Sequence, residues 1–448
     1  MPDHADLSPV ASTLRWINAS PSPFHAVAIM AHILHRHGFV ELSEMDSWRL
    51  EPGGRYFVIR GAASIIAFVT PLDHRHPPAV RMVGAHTDSP GLKLKPNPLK
   101  KKGNHWVADV EVYGGPLLST WMDRDLSLAG MVGYIGPDGQ SRQLLVDWRE
   151  AVALVPNLAI HLNRTANDDY KIQRHEELSP IFMPLDAEQE EAQGRDLFLA
   201  ELTKALVRNH PQMTLEGFTA LDWDLFFYDT QPVARIGPEG SWVSGARLDN
   251  LISCFSGLRA LLAILDEENR PEQALPMLAC FHHEEVGSHS TTGAAGNFTE
   301  AVMGRLLPEP ESMARSMARS RMLSVDNAHA VHPNFISKHD GNNAPEINKG
   351  VVIKSNANQR YTTHVISSSH LKALCRRLDL PVQDFTMRSD MPCGSTIGPM
   401  LSARLGLQSI DIGVPTWAMH SIRESAGALD IIGLDRLLAG FFSEPMEA

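Results

Sequence analysis

The sequence predicts an α/β protein in which a mostly parallel central sheet is flanked by helices and interrupted by an inserted, mostly β domain. Two observations predict this fold. Apolar runs of strand length alternate with helical periodicity toward both ends of the chain, and the middle contains strand-like runs separated by Gly and Pro. With 448 residues, the chain is also too long for one ordinary core, so we expect at least two domains.

The composition excludes several classes of protein. Apolar residues make up 43% of the chain and charged residues 21%, which is typical of a folded globular protein. The net charge of -12 argues against a nucleic-acid partner, because phosphate binding requires a surplus of Lys and Arg. No apolar run reaches the roughly 18 residues of a membrane span or forms a signal peptide at the start. The four cysteines form no CxxC pair and fit reduced thiols, so we expect a cytoplasmic protein.

Residues 1–98 are assigned to the first part of the main domain. Helical spacing in "FHAVAIMAHILHRHGF" predicts a helix, and "YFVIR", "SIIAFV" and "AVRMVGAH" predict short strands.

Residues 99–242 are assigned to the inserted domain. The runs "HWVADVEVYGG", "LAGMVGYIG" and "RQLLVDW" predict strands joined by turns. The basic run at residues 93–102, "KLKPNPLKKK", is interpreted as a solvated connection rather than an anion site.

Residues 243–448 return to the main domain with a regular α/β alternation. Helices are predicted over 249–265 and near 366–377, and strands at "LPMLACF", "MLSVD" and "LQSIDIG". A tandem Ser-Met-Ala-Arg repeat near residue 312 predicts a local helix without a function of its own.

Side chains with metal-binding chemistry follow four of the apolar runs, and a fifth group opens a predicted helix. In open α/β sheets, sites form beyond the carboxyl ends of strands, so residues far apart in sequence can converge there. Singly, each has a structural explanation, such as a helix N-cap or a turn. Together they provide imidazoles and carboxylates without a thiolate, which suits one or two Zn²⁺, Mn²⁺ or Co²⁺ ions. These residues are His86, Asp88, Asp249, Glu284, Glu285, Asp326 and His420.

The "HTD" segment predicts a supporting contact. Residues i and i+2 of a strand point to the same face, so the Asp88 carboxylate is expected to reach the imidazole of His86. A carboxylate on the non-ligating nitrogen would fix the tautomer of the ring at a zinc site. A surface turn is the structural alternative for this tripeptide.

The adjacent acids in "FHHEEVGS" raise a different question, because like charges repel. On an extended chain their side chains diverge, so we expect one of Glu284 and Glu285 to bind metal and the other to remain uncoordinated. An uncoordinated carboxylate beside a metal-activated water is the general base of a hydrolytic metal site.

The chain resembles the aspartyl aminopeptidases, the M18 family of zinc metallopeptidases. The resemblance extends from about residue 10 to 440 and rests on seven motifs in order. They are "GAHTDSP", "SGARLDN", "FHHEEVGS", "SVDNAHAVHPN", "GVVIK", "MPCGSTIGP" and "AMHSIRESAG".

This resemblance implies a zinc-peptidase-type sheet and a site for two Zn²⁺ ions per subunit, with Mn²⁺ or Co²⁺ as substitutes. Asp249 would bridge the ions, His86 and Asp326 would complete one, and Glu285 and His420 would complete the other. Glu284 would be the catalytic base, with Asp88 in support of the site.

The resemblance also implies peptide substrates with an N-terminal Asp or Glu. Lys354 is the expected cation for the acidic side chain, and His329 and Tyr361 are expected substrate contacts. Without the resemblance, Lys354 would be interpreted as a surface residue closing a strand, and the other two as packed or surface groups.

The inserted domain is similar to the family's dimerisation domain. His161 stands where relatives send a histidine into a neighbouring active site, although by itself it would be interpreted as a structural residue on a half-buried strand. Relatives form twelve-subunit shells, so a homo-oligomer built from dimers is expected.

Two other functions remain open at this point. A metal-dependent N-acyl amino acid deacylase would have the same sheet and ligands. A non-catalytic shell-forming protein would keep its metals for structure only, and against it stands Glu284, because a structural zinc site does not need an uncoordinated base.

Overall fold

The computed structural model describes residues 8–72, 77–186, 189, 191–212, 219–265 and 273–444. The helices are α1 (Ser8–Asn18), α2 (Pro23–Arg36), α3 (Arg174–Glu177), α4 (Gly194–Asn209), α5 (Leu248–Ala263), α6 (Phe298–Leu306), α7 (Pro310–Arg319), α8 (Val365–Arg377), α9 (Gly398–Leu405) and α10 (Ala428–Ser443). The strands of the amino-terminal half are β1 (Val40–Glu41), β2 (Arg55–Arg60), β3 (Ser64–Val69), β4 (Ala79–His86), β5 (Gly91–Lys102), β6 (His105–Tyr113), β7 (Leu126–Ile135), β8 (Ser141–Asp147), β9 (Ile181–Pro184) and β10 (Thr219–Asp229). Those that follow are β11 (Ala234–Ile236), β12 (Trp242–Gly245), β13 (Ala274–Phe281), β14 (Arg321–Val325), β15 (Ala328–His329), β16 (Val351–Ser355), β17 (Val382–Thr386), β18 (Gln408–Gly413), β19 (Pro415–Trp417) and β20 (Glu424–Gly427).

The contacts divide the chain into two units. The first comprises residues 1–88, 233–419 and 424–448, and the second comprises 89–232 together with the short return 420–423. The insertion therefore begins at residue 89, where the sequence predicts 99, because β5 belongs wholly to the second unit. It ends at 232, where the sequence predicts 242, because β11 and β12 pair within the first unit.

The first unit is built on a nine-stranded sheet in the order β1-β2-β3-β13-β4-β14-β18-β16-β17. Its centre, from β13 through β4 and β14 to β18, is parallel, and β17 is parallel to β16. The antiparallel pairs are β2 with β3, β3 with β13, and β16 with β18. The predicted mostly parallel α/β sheet is confirmed.

Both faces of this sheet are buried. Alternate residues of each central strand enter different apolar cores, as the period of two in a strand requires. Val83 and Leu278 pack into the core on one face with helices α5 and α10, whereas Met82 and Met277 pack into the core on the other face with α6. The near-continuous apolar runs of β4 and β13 are the result of this double burial.

The helices agree with the sequence patterns to within a few residues. α2 begins after Ser22, whose hydroxyl accepts the backbone N–H of His25, and Pro23 occupies its first turn. Gly38, with φ of 78°, follows the end of the helix and stops it within the predicted range. The helix predicted for the Ser-Met-Ala-Arg repeat is confirmed as α7.

The second unit is built on a six-stranded sheet in the order β8-β7-β10-β5-β6-β9, with every described pair antiparallel. The predicted mostly β composition is confirmed, but the unit also contains α4, whose Phe198 is fully buried beside Trp148 and Trp223. The sequence analysis does not predict α4, because charged residues obscure the helical spacing of its apolar residues.

The interpretation of "KLKPNPLKKK" as a solvated connection is wrong. The run is most of strand β5, and three of its five lysines pair with acids of the neighbouring strands. Nζ of Lys95 and of Lys100 lie 3.2 Å and 2.8 Å from a carboxylate oxygen of Asp109, and Lys93 pairs with Asp224. Cross-strand charge pairs of this kind allow a lysine-rich strand inside an antiparallel sheet.

Cys254, Cys280 and Cys375 are buried, as predicted, and Cys393 is partly exposed. None of the four forms a disulfide.

Within the ranges that the structure describes, no helix has both the length and the apolar character needed to cross a membrane.

The fold makes a pH-dependent prediction through Asp430, a fully buried carboxylate at the start of α10. It accepts the backbone N–H groups of Asn348 and Gly350 at 2.6 Å and 2.8 Å. Burial raises the pKa of Asp430 from its usual 3.8 to about 7, and these two bonds only partly oppose the shift. The native state therefore binds this proton more tightly than the unfolded state does.

The contribution of Asp430 to stability should be fully present below about pH 4 and lost as the pH rises through about 7, by up to about 4 kcal/mol. We expect Asp430→Asn to have a shallower loss of unfolding free energy over this range, measured by urea denaturation of chelator-treated protein. Asp384→Asn, at an exposed carboxylate, is the matched control. Parallel pH profiles for the wild type and Asp430→Asn would contradict the assignment.

Candidate metal centre and substrate site

Three neighbouring parallel strands end beside one another and deliver polar residues to the same edge of the sheet. His86 is the last residue of β4, and its register partner is Phe281, the last residue of β13, after which Glu284 follows. Ser324 of β14 pairs with Gly84 of β4, so Asp326 lies at the level of His86. Residues separated by up to 240 positions are therefore brought together by strand order.

Helix α5 brings a further carboxylate, that of Asp249, to this edge of the sheet. Its predicted start at residue 249 is close to the observed Leu248, and Asp249 has non-helical backbone angles of φ -80° and ψ 106°. The Asp249 backbone N–H donates to Glu424 at 2.9 Å, and the Asn250 amide donates to the carbonyl of Val325 at 2.7 Å. These two buried bonds fix the start of α5 against β20 and β14.

His86 lies between two of these carboxylates. Its Nε2 is 3.2 Å from an oxygen of Asp249 and 3.6 Å from an oxygen of Asp326, and all three side chains are almost completely buried. Their donor atoms lie within 4.8 Å of one another, the separation of ligands around a single ion.

The Asp88 carboxylate approaches the His86 ring, as predicted, but the backbone of Asp88 makes the hydrogen bond. β4 ends at His86, so the i and i+2 side chains are not held on one strand face, and the nearest Asp88 carboxylate oxygen is 3.7 Å from Nδ1. The ring Nδ1–H instead donates to the backbone carbonyl of Asp88 at 3.0 Å. This bond still fixes the tautomer and directs Nε2 towards the carboxylates.

The fully buried carboxylate of Asp88 binds the backbone of the glutamate pair. Its two oxygens accept the backbone N–H groups of Glu284 and Glu285 at 3.2 Å and 3.1 Å. Asp88 therefore sets the position of the glutamate pair.

The expectation of an extended backbone at the glutamates is also wrong. Glu284 and Glu285 lie in a short 3-10 turn that follows His283, a residue with φ of 63°. Both side chains turn towards His86, and the three donor groups lie within 4.8 Å of one another. The structure thus brings both acids to the centre, and their separate roles remain predictions.

The pKa values follow from burial and crowding of charge. Burial, with the neighbouring Asp326 and Asp88 carboxylates, raises the pKa of Glu284 to about 8 although His86 opposes the shift. Burial and Asp249 also raise the pKa of Glu285. Burial alone would lower the pKa of His86, but hydrogen bonds with Asp249 and Asp326 hold it well above its usual value.

The donor set fits divalent metal ions. Five carboxylates, from Asp88, Asp249, Glu284, Glu285 and Asp326, lie around the imidazole of His86. Buried carboxylates at this density require compensating positive charge, and oxygen and imidazole donors suit Zn²⁺.

A buried cation lies beside these carboxylates. Lys354 is 2% exposed, so its interpretation as a surface residue is wrong. Its Nζ is 3.5 Å from an Asp326 oxygen and donates to the carbonyl of Asn327 at 3.1 Å. Lys354 and His86 lower the pKa of Asp326 despite its burial.

Aromatic rings surround this lysine. Nζ of Lys354 lies 5.1 Å from the centroid of the Tyr361 ring. The Phe385 ring packs edge-on against Tyr361 on one side and His329 on another, at 6.5 Å and 6.0 Å between centroids. The three residues expected to contact substrate therefore form one cluster around Phe385.

Asp411 is a supporting residue that the sequence analysis missed. It is fully buried and accepts the backbone N–H and hydroxyl of Thr362 at 2.6 Å and 2.8 Å and the hydroxyl of Thr396. In the sheet it is the register partner of Lys354. A lone acid inside the apolar strand "LQSIDIG" was a signal that could have been noticed. Glu424 and Asn250 had no such signal.

His161 and His420 belong to the second unit. His161 is exposed in a turn rather than on the half-buried strand of its structural interpretation. His420, with φ of 68°, donates from Nδ1 to the carbonyl of Gly115 at 3.0 Å, and its role as a ligand remains a prediction.

The family model described as "Aminopeptidase I zinc metalloprotease (M18)" matches residues 16–442. The chain belongs to the M18 family. It is therefore an aminopeptidase of a zinc metalloprotease family, and the resemblance inferred from the sequence motifs is confirmed.

Similar proteins extend over almost the whole chain. Probable M18 family aminopeptidase 2 of Stutzerimonas stutzeri (strain A1501) is 48% identical over 428 residues, and that of Pseudomonas savastanoi pv. phaseolicola (strain 1448A / Race 6) is 46% identical over 428 residues. Each alignment covers 96% of this chain and 96% of the relative.

Solved structures have the same fold. A cryo-EM structure of the Ape4 and Nbr1 complex matches with a TM-score of 0.93 and 36% identity, covering 98% of this chain and 87% of that one. The S. cerevisiae mApe1 dodecamer matches with a TM-score of 0.82 and 25% identity, covering 98% and 97%.

The hydrogen bond from the Asp249 backbone to Glu424 can be tested by substitution. In Glu424→Ala the Asp249 backbone N–H loses its acceptor, so we expect zinc affinity to fall roughly 10- to 100-fold. Glu424→Gln keeps an acceptor oxygen and should lose much less. Zinc retained per subunit during titration with a chelator measures the difference, and equal retention in both variants would show that this bond does not position the ligand.

Proposed function

We propose that the chain is a dinuclear zinc aminopeptidase that releases N-terminal Asp and Glu from peptides. The observation that supports this most directly is the buried ammonium of Lys354 beside the ligand Asp326. A cation is seldom buried unless it is paired, and here it lies next to the candidate metal centre. An acidic side chain of a substrate would find the opposite charge at this position.

The proposed ligands follow the family resemblance. Asp249 would be shared by two ions, His86 and Asp326 would hold one of them with it, and Glu285 and His420 would hold the other. The short distances of Asp249 and Asp326 from His86 Nε2 support the first of these sets. Zinc, when bound, polarises the scissile carbonyl and lowers the pKa of a water molecule.

Glu284 acts as the general base in this proposal. Its carboxylate takes the proton of the attacking water and later delivers it to the leaving amine, which becomes the new N-terminus. Asp88 holds the Glu284 backbone at the required position through its hydrogen bond at 3.2 Å. The substrate's own α-amino group binds near Glu285 and Asp249, which restricts cleavage to the first peptide bond.

His329 and Tyr361 contact the first residue of the substrate, and Asp411 keeps Tyr361 in place through its bonds to Thr362. The Tyr361 ring over Lys354 limits the directions from which a carboxylate can approach.

We also propose that the second unit mediates dimerisation within a larger homo-oligomer, and that His161 enters the active site of a partner subunit. Its exposure in a turn supports this role. Among the similar structures, mApe1 is described as a dodecamer. The cysteines, which form no disulfide, support a reducing compartment such as the cytoplasm.

The base is tested by Glu284→Gln. We expect kcat for an aspartyl dipeptide to fall by about 10²- to 10⁴-fold, because the amide cannot accept the proton of water. Zinc content should be unchanged, whereas Glu285→Gln should lose zinc. Activity retained in Glu284→Gln, or zinc lost from it, would remove Glu284 from the role of base.

Substrate specificity is tested by Lys354→Ala. We expect kcat/KM for aspartyl and glutamyl dipeptides to fall by roughly 100-fold and that for leucyl dipeptides to change little, because only the acidic side chain loses its cation. Lys354→Arg, which keeps the charge, is the matched variant, and zinc content is measured in both because Lys354 contacts Asp326.

An equal loss for acidic and neutral substrates would exclude Lys354 from specificity. Turnover of N-acyl amino acids but not of dipeptides by the wild type would instead favour a deacylase.

A further inference from the structure

A cavity of about 280 Å³ lies within the first unit, beside the substrate residues but separate from Lys354. We call it the second-residue cavity. Its walls include Phe385, Met387, Met391, Trp417 and Met419, whose side chains are apolar over most of their surface. It is large enough for one large side chain and smaller than a typical site for a whole small molecule.

The cavity adjoins two segments that lead to proposed metal ligands. His329, which lines it, follows Asp326 by three residues, and Met419, at the other end, directly precedes His420. His329 and Thr416 are register partners in the parallel pair β15 and β19, so the two segments form one continuous wall. A peptide bound at the ligands therefore passes this wall.

Phe385 connects the wall of the cavity with the residues around the lysine. Phe385 and Lys354 are register partners in the pair β17 and β16, so their side chains stand on the same face of the sheet. The Phe385 ring contacts both Tyr361, whose ring lies beside Lys354, and His329, which lines the cavity. Lys354 and Tyr361 do not line the cavity, so it is distinct from the proposed site for the acidic first residue.

We propose that the second-residue cavity binds the side chain of the residue that follows the scissile bond, and that it favours large apolar residues such as Leu and Phe. This inference rests on the proposed function. Once the first side chain lies at Lys354, the second Cα is only about 3.8 Å further along the chain, which places its side chain at the adjoining wall.

The walls combine rigid and adaptable parts. Phe385 is 3% exposed and packed in a small apolar core, and the Trp417 indole N–H donates to the carbonyl of Val331 at 2.7 Å. Met387, Met391 and Met419 are only partly buried or exposed. Flexible thioether side chains adjust to different apolar shapes, so the cavity should accept several large residues rather than one.

The test compares Asp-Ala, Asp-Leu and Asp-Phe as substrates of the intact zinc-loaded oligomer. For the wild type, we expect kcat/KM for Asp-Leu and Asp-Phe to exceed that for Asp-Ala by about tenfold. Similar values for Asp-Ala, Asp-Leu and Asp-Phe would overturn the proposal.

Two variants test whether the preference for a large apolar second residue arises in the second-residue cavity. Met387→Ala removes part of the wall and should reduce the Asp-Phe to Asp-Ala ratio to about threefold or less, while Met391→Trp fills the space and should lower Asp-Phe far more than Asp-Ala. Met313→Ala, at a partly buried methionine of α7 in a different core, is the matched control and should leave the ratio unchanged.

The outcomes separate this proposal from the proposed function. In Met387→Ala, an equal fall of kcat/KM for every second residue would show that the cavity does not hold the second side chain. A changed preference between Asp-Ala and Leu-Ala in this variant would show the same. A wild type that prefers leucyl to aspartyl dipeptides would contradict acidic specificity alone, and the ratio of Leu-Phe to Leu-Ala would then test the cavity.

Discussion

Five carboxylates crowd together at the edge of the central sheet, and their mutual repulsion is the constraint on which the rest of the first unit depends. The imidazole of His86 and the ammonium of Lys354 lie among them as partners of opposite charge. Burial and crowding raise the pKa values of Glu284 and Glu285, which means that the protein alone holds these charges poorly. Divalent cations resolve this conflict, and the chemistry of an aminopeptidase requires the same cations.

The fold holds this arrangement with bonds from the backbone. Asp88 accepts the N–H groups of both glutamates, Glu424 accepts that of Asp249, and His86 donates to the carbonyl of Asp88. Each bond holds one residue of the candidate centre in place without an ion, so less conformational freedom would be lost on metal binding. The order of the strands brings these residues together, because β13, β4 and β14 are neighbours that end at one level.

Strands β16 and β17 carry the residues that we propose for the recognition of substrate. In the sheet, Lys354 has Asp411 and Phe385 as register partners, one a buried acid and the other a buried ring that also lines the second-residue cavity. Under the two proposals, selection by charge and selection by apolar contact would take place at neighbouring positions. An enzyme with acidic overall charge would then prefer an acidic first residue and an apolar second one.

The sequence by itself determined the α/β class, the mostly β insertion, the family and the set of polar residues that follow the central strands. These are local properties, since period, apolar runs and motif order do not depend on distant contacts. Tertiary structure decided the rest. Asp88 binds the glutamate backbone because β4 ends two residues earlier, the glutamates lie in a 3-10 turn, and "KLKPNPLKKK" is a strand because acids of neighbouring strands pair with it. Lys354, Asp411 and Glu424 are buried only because of what packs around them, and burial is a property of the folded chain that no stretch of sequence contains.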